Sequence, residues 1–199
     1  MAGALVFPFF NFNAFAASIV FGLSGSFYPL AKRYTYYPQV VLGICFNSGL
    51  IISSLVLNGV LDYRILPFYF SSILWTLIYD TIYAMQDAKD DVKAGVKGLA
   101  LKWGDKTIEN SKILNVLMHA GFAYGAGIYS LHPVFYAMDA VSLVYMHLQL
   151  NKVDINDTST CAQFFHASKY YGLYILLMII MGKAMKKEAN DTKAKDKHN

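Results

Sequence analysis

Four aspartates lie close together near the middle of the chain, in residues 79–104, which read YDTIYAMQDAKDDVKAGVKGLALKWG. Asp87 and Asp91 are four residues apart, so on a helix their carboxylates stand on one face. Asp80 precedes Asp87 by seven residues, which predicts that it continues the same stripe, and Asp90 lies beside that stripe. Adjacent carboxylates repel each other, so such a cluster is costly unless a cation neutralises it.

The oxygen ligands in this cluster are the kind that Mg²⁺ prefers. Mg²⁺ binds few protein carboxylates, keeps several waters and shares its other positions with substrate phosphates. Lys93 and Lys97 follow on the next turns and can bind the same anion as point charges. The cluster therefore predicts a metal-bound diphosphate at a membrane surface. The alternative is a solvated loop, but Asp80 lies within an apolar segment, and charged residues there are usually functional.

Composition places these residues in a membrane protein. Of the 199 residues, 56% are apolar and 15% are charged, and the mean hydropathy is +0.37. Soluble domains carry about 25% charged residues, so soluble, disordered and coiled-coil classes are excluded. The net charge of +4 is divided among short stretches between apolar runs and a Lys-rich tail, a pattern that does not suit nucleic-acid binding. The two cysteines, Cys45 and Cys161, do not form a disulfide framework.

A membrane-spanning helix needs about 20 mostly apolar residues. Six segments approach this length and composition: residues 3–31, 38–57, 65–85, 113–130, 134–150 and 170–181. The sequence therefore predicts an all-α, multi-pass transmembrane bundle of about six spans. Gly22, Gly25 and Pro29 predict a bend or close packing near the end of the first segment.

Several residues within the segments are assigned to helix packing. Gly121, Gly125 and Gly127 form a small-residue face on the fourth segment. Asp139 in the fifth is predicted to be a helix–helix partner. Asn47 has two open roles, as a polar contact between helices or as part of a cavity wall. The histidines lack metal-ligand spacing and are assigned to packing or to the membrane interface.

The distribution of basic residues predicts an orientation. The turns after the first, third and fifth segments hold ten lysines and arginines, whereas those after the second and fourth hold only Arg64. The basic turns, with the aspartate cluster, are therefore expected in the cytoplasm or the mitochondrial matrix. The first segment lacks a basic start and a cleavage site, so it is not predicted to be a signal peptide. Residues 1–183 are expected to form the membrane region and residues 184–199 a disordered polar tail whose side stays open.

Three stretches of the chain resemble the UbiA-type aromatic prenyltransferases. Residues 79–91, with GVK at residues 95–97, resemble the second aspartate-rich motif of that family. The stretch YPLAKRYTYYPQ at residues 28–39 resembles its YxxxK segment, and VDIND at residues 153–157 resembles the loop before its last span. Within the family, the chain is most similar to the 4-hydroxybenzoate polyprenyltransferases of ubiquinone biosynthesis.

The resemblance implies Mg²⁺-dependent transfer of a polyprenyl group from polyprenyl diphosphate to 4-hydroxybenzoate. In that reaction the metal-held diphosphate departs and a ring carbon next to the phenol oxygen attacks the allylic cation. By the resemblance, Asp87 and Asp91 bind Mg²⁺, and Asp90 is a weaker candidate ligand.

The resemblance also implies substrate-binding roles for four further residues. Lys32 and Lys97 contact the diphosphate, and Tyr28 positions it. Asp80 orients the aromatic acceptor or a basic partner. A buried acid paired across spans is the alternative role for Asp80.

The chain departs from the family pattern in one important respect. The family has nine spans and a first motif of the form N-D-x-x-D-x-x-x-D, and the chain, which corresponds to the last six spans, does not contain it. Smaller departures are Met85 for His, Gly98 for Ser and Ser168 for Asn. A truncated, non-catalytic membrane fragment or an interaction protein is therefore the alternative function. A small transporter is disfavoured because the acids cluster at one membrane face.

The expected surroundings follow from the same resemblance. They are the lipid bilayer of the mitochondrial inner membrane, or the plasma membrane of a bacterial source. A ubiquinone-biosynthesis complex is a possible protein partner, and no nucleic acid is expected.

Overall fold

The computed structural model describes residues 10–196, and these contain ten α-helices and no β-strand. The helices are α1 (Phe12–Ser26), α2 (Tyr28–Tyr34), α3 (Pro38–Phe46), α4 (Ser48–Asn58), α5 (Leu66–Ala84), α6 (Ala88–Ala94), α7 (Leu99–Trp103), α8 (Thr107–Ile128), α9 (Val134–Leu150) and α10 (Thr158–Asp196). The predicted all-α class is confirmed.

Prolines and glycines set many of the helix boundaries. α1 and α2 meet at Phe27 with a 45° bend, and Pro29 lies in the first turn of α2. Proline is tolerated there because it lacks only an N–H that would have no partner in the helix. Pro38 begins α3 in the same way, and Gly59 ends α4 with a left-handed φ of 74°. The bend predicted near the end of the first segment is therefore present.

Three stretches in the described residues are long and apolar enough to cross a membrane: Pro38–Asn58, Tyr63–Ala84 and Thr158–Ala189. The bent pair α1 and α2 makes a fourth if it counts as one broken span. α9 has only 17 residues, and α8 includes the polar Asn115 and His119. The predicted segments are therefore helical where the structure describes them, but fewer than six qualify as spans by length and composition alone.

α5 lies at the centre of the packing, against α3, α8 and α10. On one side its Phe68 and Ile78 join a core with Phe122 of α8 and Phe135 of α9. On the other side α5 packs against α4 and α7 in a smaller core. This arrangement places both ends of α5 against neighbouring helices, including the carboxyl end that carries Asp80.

The aspartate cluster does not lie on one helix, which corrects the predicted stripe. α5 ends at Ala84, a turn follows, and α6 begins at Ala88 with Asp87 in the capping position. The Asp87 side chain makes no capping hydrogen bond there, and it is the Asp87 carbonyl that accepts from the first turn of α6. Asp87 and Asp91 remain one turn apart, since the Asp91 N–H donates to the Asp87 carbonyl at 2.8 Å.

The helix α10 continues through the Lys-rich segment after residue 183 as far as Asp196, within the tail for which disorder is predicted. Alanine, lysine, methionine and glutamate are strong helix formers, so the helix does not stop where the hydrophobic stretch ends. Lys186 also donates to the Tyr129 carbonyl at 2.7 Å, which attaches this part of α10 to the end of α8.

Candidate functional site

Lys32 lies within electrostatic range of two aspartates that come from different helices. Its ammonium interacts electrostatically with Asp80, near the end of α5, and with Asp91 of α6. It also lies 5.1 Å from the ring centroid of Tyr28, one turn earlier on α2. Tyr28 is within electrostatic range of the same two carboxylates. The fold thus brings four of the predicted site residues together from three helices.

Two contacts attach the segment between α6 and α7 to this cluster. The Lys97 N–H donates to the Lys32 carbonyl at 2.7 Å. The Leu99 N–H donates to the side-chain oxygen of Gln39 at 3.1 Å. Gln39 is only 2% exposed, and its amide also hydrogen-bonds Asp80. Sequence reasoning assigned Gln39 no role, although it lies in the YxxxK segment, because a lone glutamine carries no spacing signal.

The three acids of the loop have different surroundings. Partial burial raises the pKa of Asp91; Lys32 opposes this shift, and the nearby Asp87 and Asp90 reinforce it. Asp90 pairs with Lys93 at 2.8 Å, and both side chains are more than three-quarters exposed. Asp91 is therefore the acid of the loop that interacts with Lys32, with Asp87 nearby, whereas Asp90 and Lys93 form a surface ion pair.

Lys97 lies at the rim of the cluster. Its ammonium is 3.5 Å from the Tyr34 carbonyl and 5.5 Å from the ring centroid of Tyr36. Lys102 packs over Tyr37 in a similar way, at 4.1 Å. The basic side chains at this end of the molecule are thus supported by tyrosine rings and keep their charges available to an anion.

A cavity of about 510 Å³ opens beside the cluster. Its lining residues are Tyr28, Leu42, Phe46, Trp75, Tyr79, Asp80, Tyr83, Phe165, His166, Ser168 and Lys169. The walls are mainly aromatic. The ring centroids of Trp75 and Tyr79 are 5.3 Å apart, and those of Tyr83 and Phe165 are 4.3 Å apart. Asp80 and Tyr28 therefore connect a charged cluster to an apolar chamber.

The acids suit a metal that is shared with a phosphate. Among the described residues, no three His, Cys, Asp or Glu side chains lie close enough together to hold a metal ion. Mg²⁺ needs only one or two carboxylates when phosphates and water supply the other oxygens. Asp87 and Asp91 fit that requirement, but they do not form a metal site made of protein ligands alone.

Two other polar residues proved to be helix contacts. The Asn47 amide donates to Thr76 at 2.9 Å and to the Ser72 carbonyl at 3.2 Å, both on α5, which decides between its two predicted roles. Asp139 is a helix–helix partner as predicted, because it lies 2.6 Å from the ring nitrogen of His119 on α8.

Comparisons with known proteins relate the chain to a family of prenyltransferases. The model of the UbiA prenyltransferase family matches residues 1–178. The mitochondrial 4-hydroxybenzoate polyprenyltransferase of Dictyostelium discoideum is 38% identical over 172 residues, which are 85% of this chain and 37% of that protein. The human protein of the same name is 37% identical, over 82% of this chain and 44% of its own length. The 4-hydroxybenzoate geranyltransferase 1 of Lithospermum erythrorhizon is 35% identical, over 87% of this chain and 57% of its own length.

A solved structure has the same fold. The apo structure of a UbiA homolog from Aeropyrum pernix K1 superposes with a TM-score of 0.58 at 22% identity and covers 90% of this chain and 65% of that one. The chain spans less than half the length of the mitochondrial relatives described above. The match to the family model covers most of the chain, so the chain belongs to the UbiA prenyltransferase family.

Proposed function

We propose that the chain carries part of the active site of a 4-hydroxybenzoate polyprenyltransferase, which transfers a polyprenyl group to 4-hydroxybenzoate in ubiquinone biosynthesis. The observation that supports this most directly is the convergence of Lys32, Asp80 and Asp91 at one end of an aromatic cavity. A polyprenyl diphosphate has the matching form, with an anionic head and an apolar tail. Relatives named for this activity support the choice of acceptor.

The charged end of the cavity would bind the diphosphate. Lys32 contacts it, Tyr28 positions it, and Lys97 adds positive charge at the rim. Asp87 and Asp91 would hold Mg²⁺, with Asp90 as a weaker candidate beside them. When bound, Mg²⁺ supplies positive charge that stabilises the departing diphosphate.

The aromatic walls would serve the other half of the substrate. They exclude water from the allylic carbon, which prevents hydrolysis while the bond to diphosphate breaks. Aromatic faces also stabilise a nearby cation, by about 0.5–2 kcal/mol each. Asp80, at the junction of cluster and chamber, would orient the aromatic acceptor or a basic partner such as Lys32.

The proposed location is the mitochondrial inner membrane, because the relatives are named as mitochondrial and the chain has span-length apolar helices. A bacterial source would place it in the plasma membrane instead. Lipid surrounds the apolar faces, and a ubiquinone-biosynthesis complex is the proposed protein partner.

A second candidate function is that of a membrane region that does not catalyse prenyl transfer by itself. It is supported by the described acids, which supply no three-ligand metal cluster, and by the lack of an N-D-x-x-D motif in the 199 residues. With one acidic motif, much of the leaving-group charge stays unbalanced. We expect little prenyl transfer by these 199 residues alone, although diphosphate capture should persist.

The test uses the 199-residue chain in membranes that lack an endogenous enzyme. Mg²⁺-dependent binding of labelled geranyl diphosphate and formation of prenylated 4-hydroxybenzoate are measured together. Asp87→Asn and Asp91→Asn should each weaken capture by about tenfold or more, since each removes a charged ligand. Asp105→Asn, in the short turn before α8, is the control and should change nothing.

The two readouts separate the two candidates. Capture that is unaffected in both cluster variants would overturn the proposed diphosphate site. Product formation by the wild-type chain would exclude the non-catalytic alternative, whereas capture without product would support it.

A further inference from the structure

The wall of the cavity formed by α10 carries two polar residues that the proposed reaction has not used. His166 and Lys169 line the same chamber as Asp80, Trp75 and Tyr79. Within the described part of the chain, Lys169 makes no ion pair; its ammonium lies 4.9 Å from the ring centroid of Tyr170. The chamber therefore has a positive charge on α10 that no ion pair neutralises.

Electrostatics divides the chamber into two ends. Asp80 and Asp91 lie within electrostatic range of Lys32, so a carboxylate brought to that end without Mg²⁺ would be repelled, whereas the diphosphate binds there together with Mg²⁺. Lys169 has no acidic partner among the described residues, so it offers an incoming carboxylate a charge-assisted bond. An acceptor with a carboxylate is thus directed to α10, and the diphosphate to Lys32.

The positions of His166 and Lys169 on α10 allow both to contact one small acceptor. Residues three apart on a helix lie on one face, with Cβ atoms about 5–6 Å apart. The flexible four-carbon stem of Lys169 can then place its ammonium a ring length from the His166 imidazole. A carboxylate on Lys169 would then direct a hydroxyl at the far side of the ring to His166, in a chamber that Phe165 and Trp75 also line.

We propose that His166 and Lys169 form the acceptor subsite of the cavity, in which Lys169 binds the carboxylate of a para-hydroxylated aromatic acid and His166 hydrogen-bonds its hydroxyl. This inference rests on the proposed function and assigns the second substrate to particular residues. It orders the substrates across the cavity, with the diphosphate at the α2 and α6 end and the aromatic acid against α10.

The experiment measures ligand binding to the 199-residue chain in lipid nanodiscs, so it needs no turnover. Trp75 lies in the cavity wall, and Trp103 is the only other tryptophan. In a Trp103→Phe background, the quenching of Trp75 fluorescence reports occupancy. Three probes separate the two contacts: 4-hydroxybenzoate, 4-hydroxybenzamide without the charge, and benzoate without the hydroxyl.

Each variant should affect a different pair of probes. Lys169→Gln should weaken the binding of 4-hydroxybenzoate and of benzoate by about tenfold, because it removes one charged hydrogen bond. The affinity for 4-hydroxybenzamide should stay within about threefold of the wild-type value. Lys169→Arg should retain most of the acid affinity. His166→Phe should weaken the binding of the two hydroxylated probes and leave the binding of benzoate unchanged. Lys152→Gln, an exposed lysine before α10, is the matched control.

Several results would overturn the inference. They are unchanged acid binding in Lys169→Gln, an equal loss of all three probes, or no binding of any probe to the wild-type chain. Mg²⁺-dependent capture of geranyl diphosphate is measured in the same samples. If diphosphate capture persists but the Lys169 and His166 variants bind the aromatic probes normally, only the acceptor subsite is rejected. The Asp87 and Asp91 variants test the proposed function separately, through their loss of diphosphate capture.

Discussion

Gln39 joins two parts of the site that are far apart in sequence. Its side-chain oxygen accepts the Leu99 N–H at 3.1 Å, and its amide bonds the Asp80 carboxyl. A buried amide whose oxygen accepts and whose NH₂ group donates holds both partners in a defined geometry, because leaving either partner unpaired in the interior is costly. Gln39 is therefore a positioning residue for Asp80 and for the segment after α6.

We expect Gln39→Leu to lower stability by about 1–3 kcal/mol, because it leaves the Leu99 N–H and one side of Asp80 unpaired. It should also weaken diphosphate capture, since Asp80 helps to place Lys32. Gln39→Glu should restore capture as the pH falls, because a protonated glutamic acid can again donate to Asp80. Thermal unfolding and geranyl diphosphate binding are measured, with Gln163→Leu as the control. Equal capture by all variants at every pH would contradict the role.

At the scale of single elements, α10 begins with a strong cap. Asp157 accepts the Ser159 N–H at 2.9 Å and the Ser159 hydroxyl at 3.1 Å. These hydrogen bonds lower the pKa of Asp157. A carboxyl group whose folded pKa is depressed stabilises the fold above its unfolded pKa, and that contribution is lost as the pH falls through the folded pKa.

Asp157→Ala should therefore lower the melting temperature at neutral pH, and the difference from wild type should shrink below about pH 4. Differential scanning fluorimetry in detergent measures both. The exposed Asp105 makes no comparable cap, so Asp105→Ala should have no effect. A difference that is constant with pH would mean that the Asp157 carboxylate does not act as the cap.

The packing of α8 on α5 depends on glycine. A Cβ at Gly125 would lie 2.7 Å from the Phe68 ring, and one at Gly121 would collide with Ser71. The small-residue face predicted on the fourth segment is thus a contact surface at these two positions. Gly125→Ala should destabilise the fold by about 1–3 kcal/mol, because the ring has no free space.

Gly22→Ala is the matched helix control, since a Cβ there meets nothing within 4 Å. Thermal unfolding in detergent compares the two variants. If they were equally stable, the close approach of α8 and α5 would not limit the packing.

At the scale of the whole molecule, one buried network joins three helices. His119 of α8 lies 2.6 Å from Asp139 of α9 and 2.8 Å from the Tyr171 hydroxyl of α10. Ser142 donates to that hydroxyl at 3.0 Å. His119 and Asp139 are 2% and 6% exposed. Each therefore supplies the other with a hydrogen-bond partner that lipid or apolar side chains could not provide.

His119→Leu or Asp139→Leu alone should destabilise the protein by about 3–5 kcal/mol, because each leaves a buried partner unpaired. The double variant should cost less than the sum of the two, since it removes both polar groups. Thermal unfolding of the three variants measures the coupling. Strict additivity would show that the two side chains act independently.

Much of this architecture is predictable from local sequence. Pro29, Pro38 and Gly59 mark helix boundaries, and the four-residue spacing of Asp87 and Asp91 puts them on adjacent turns. The predicted stripe of aspartates on one helix is wrong, because periodicity alone does not show that one helix ends at Ala84 and another begins at Ala88.

Local sequence predicts the fold class, most helices and the proposed chemistry, because hydropathy, helix-boundary residues and charge spacing act between residues a few positions apart. The packing of α2, α5 and α6 is what brings Asp80 and Asp91 within electrostatic range of Lys32. It likewise assigned Gln39, the cavity walls on α5 and α10, and the partner of Asp139. Those contacts join residues tens of positions apart, and they depend on which helix faces pack together, which local periodicity does not specify.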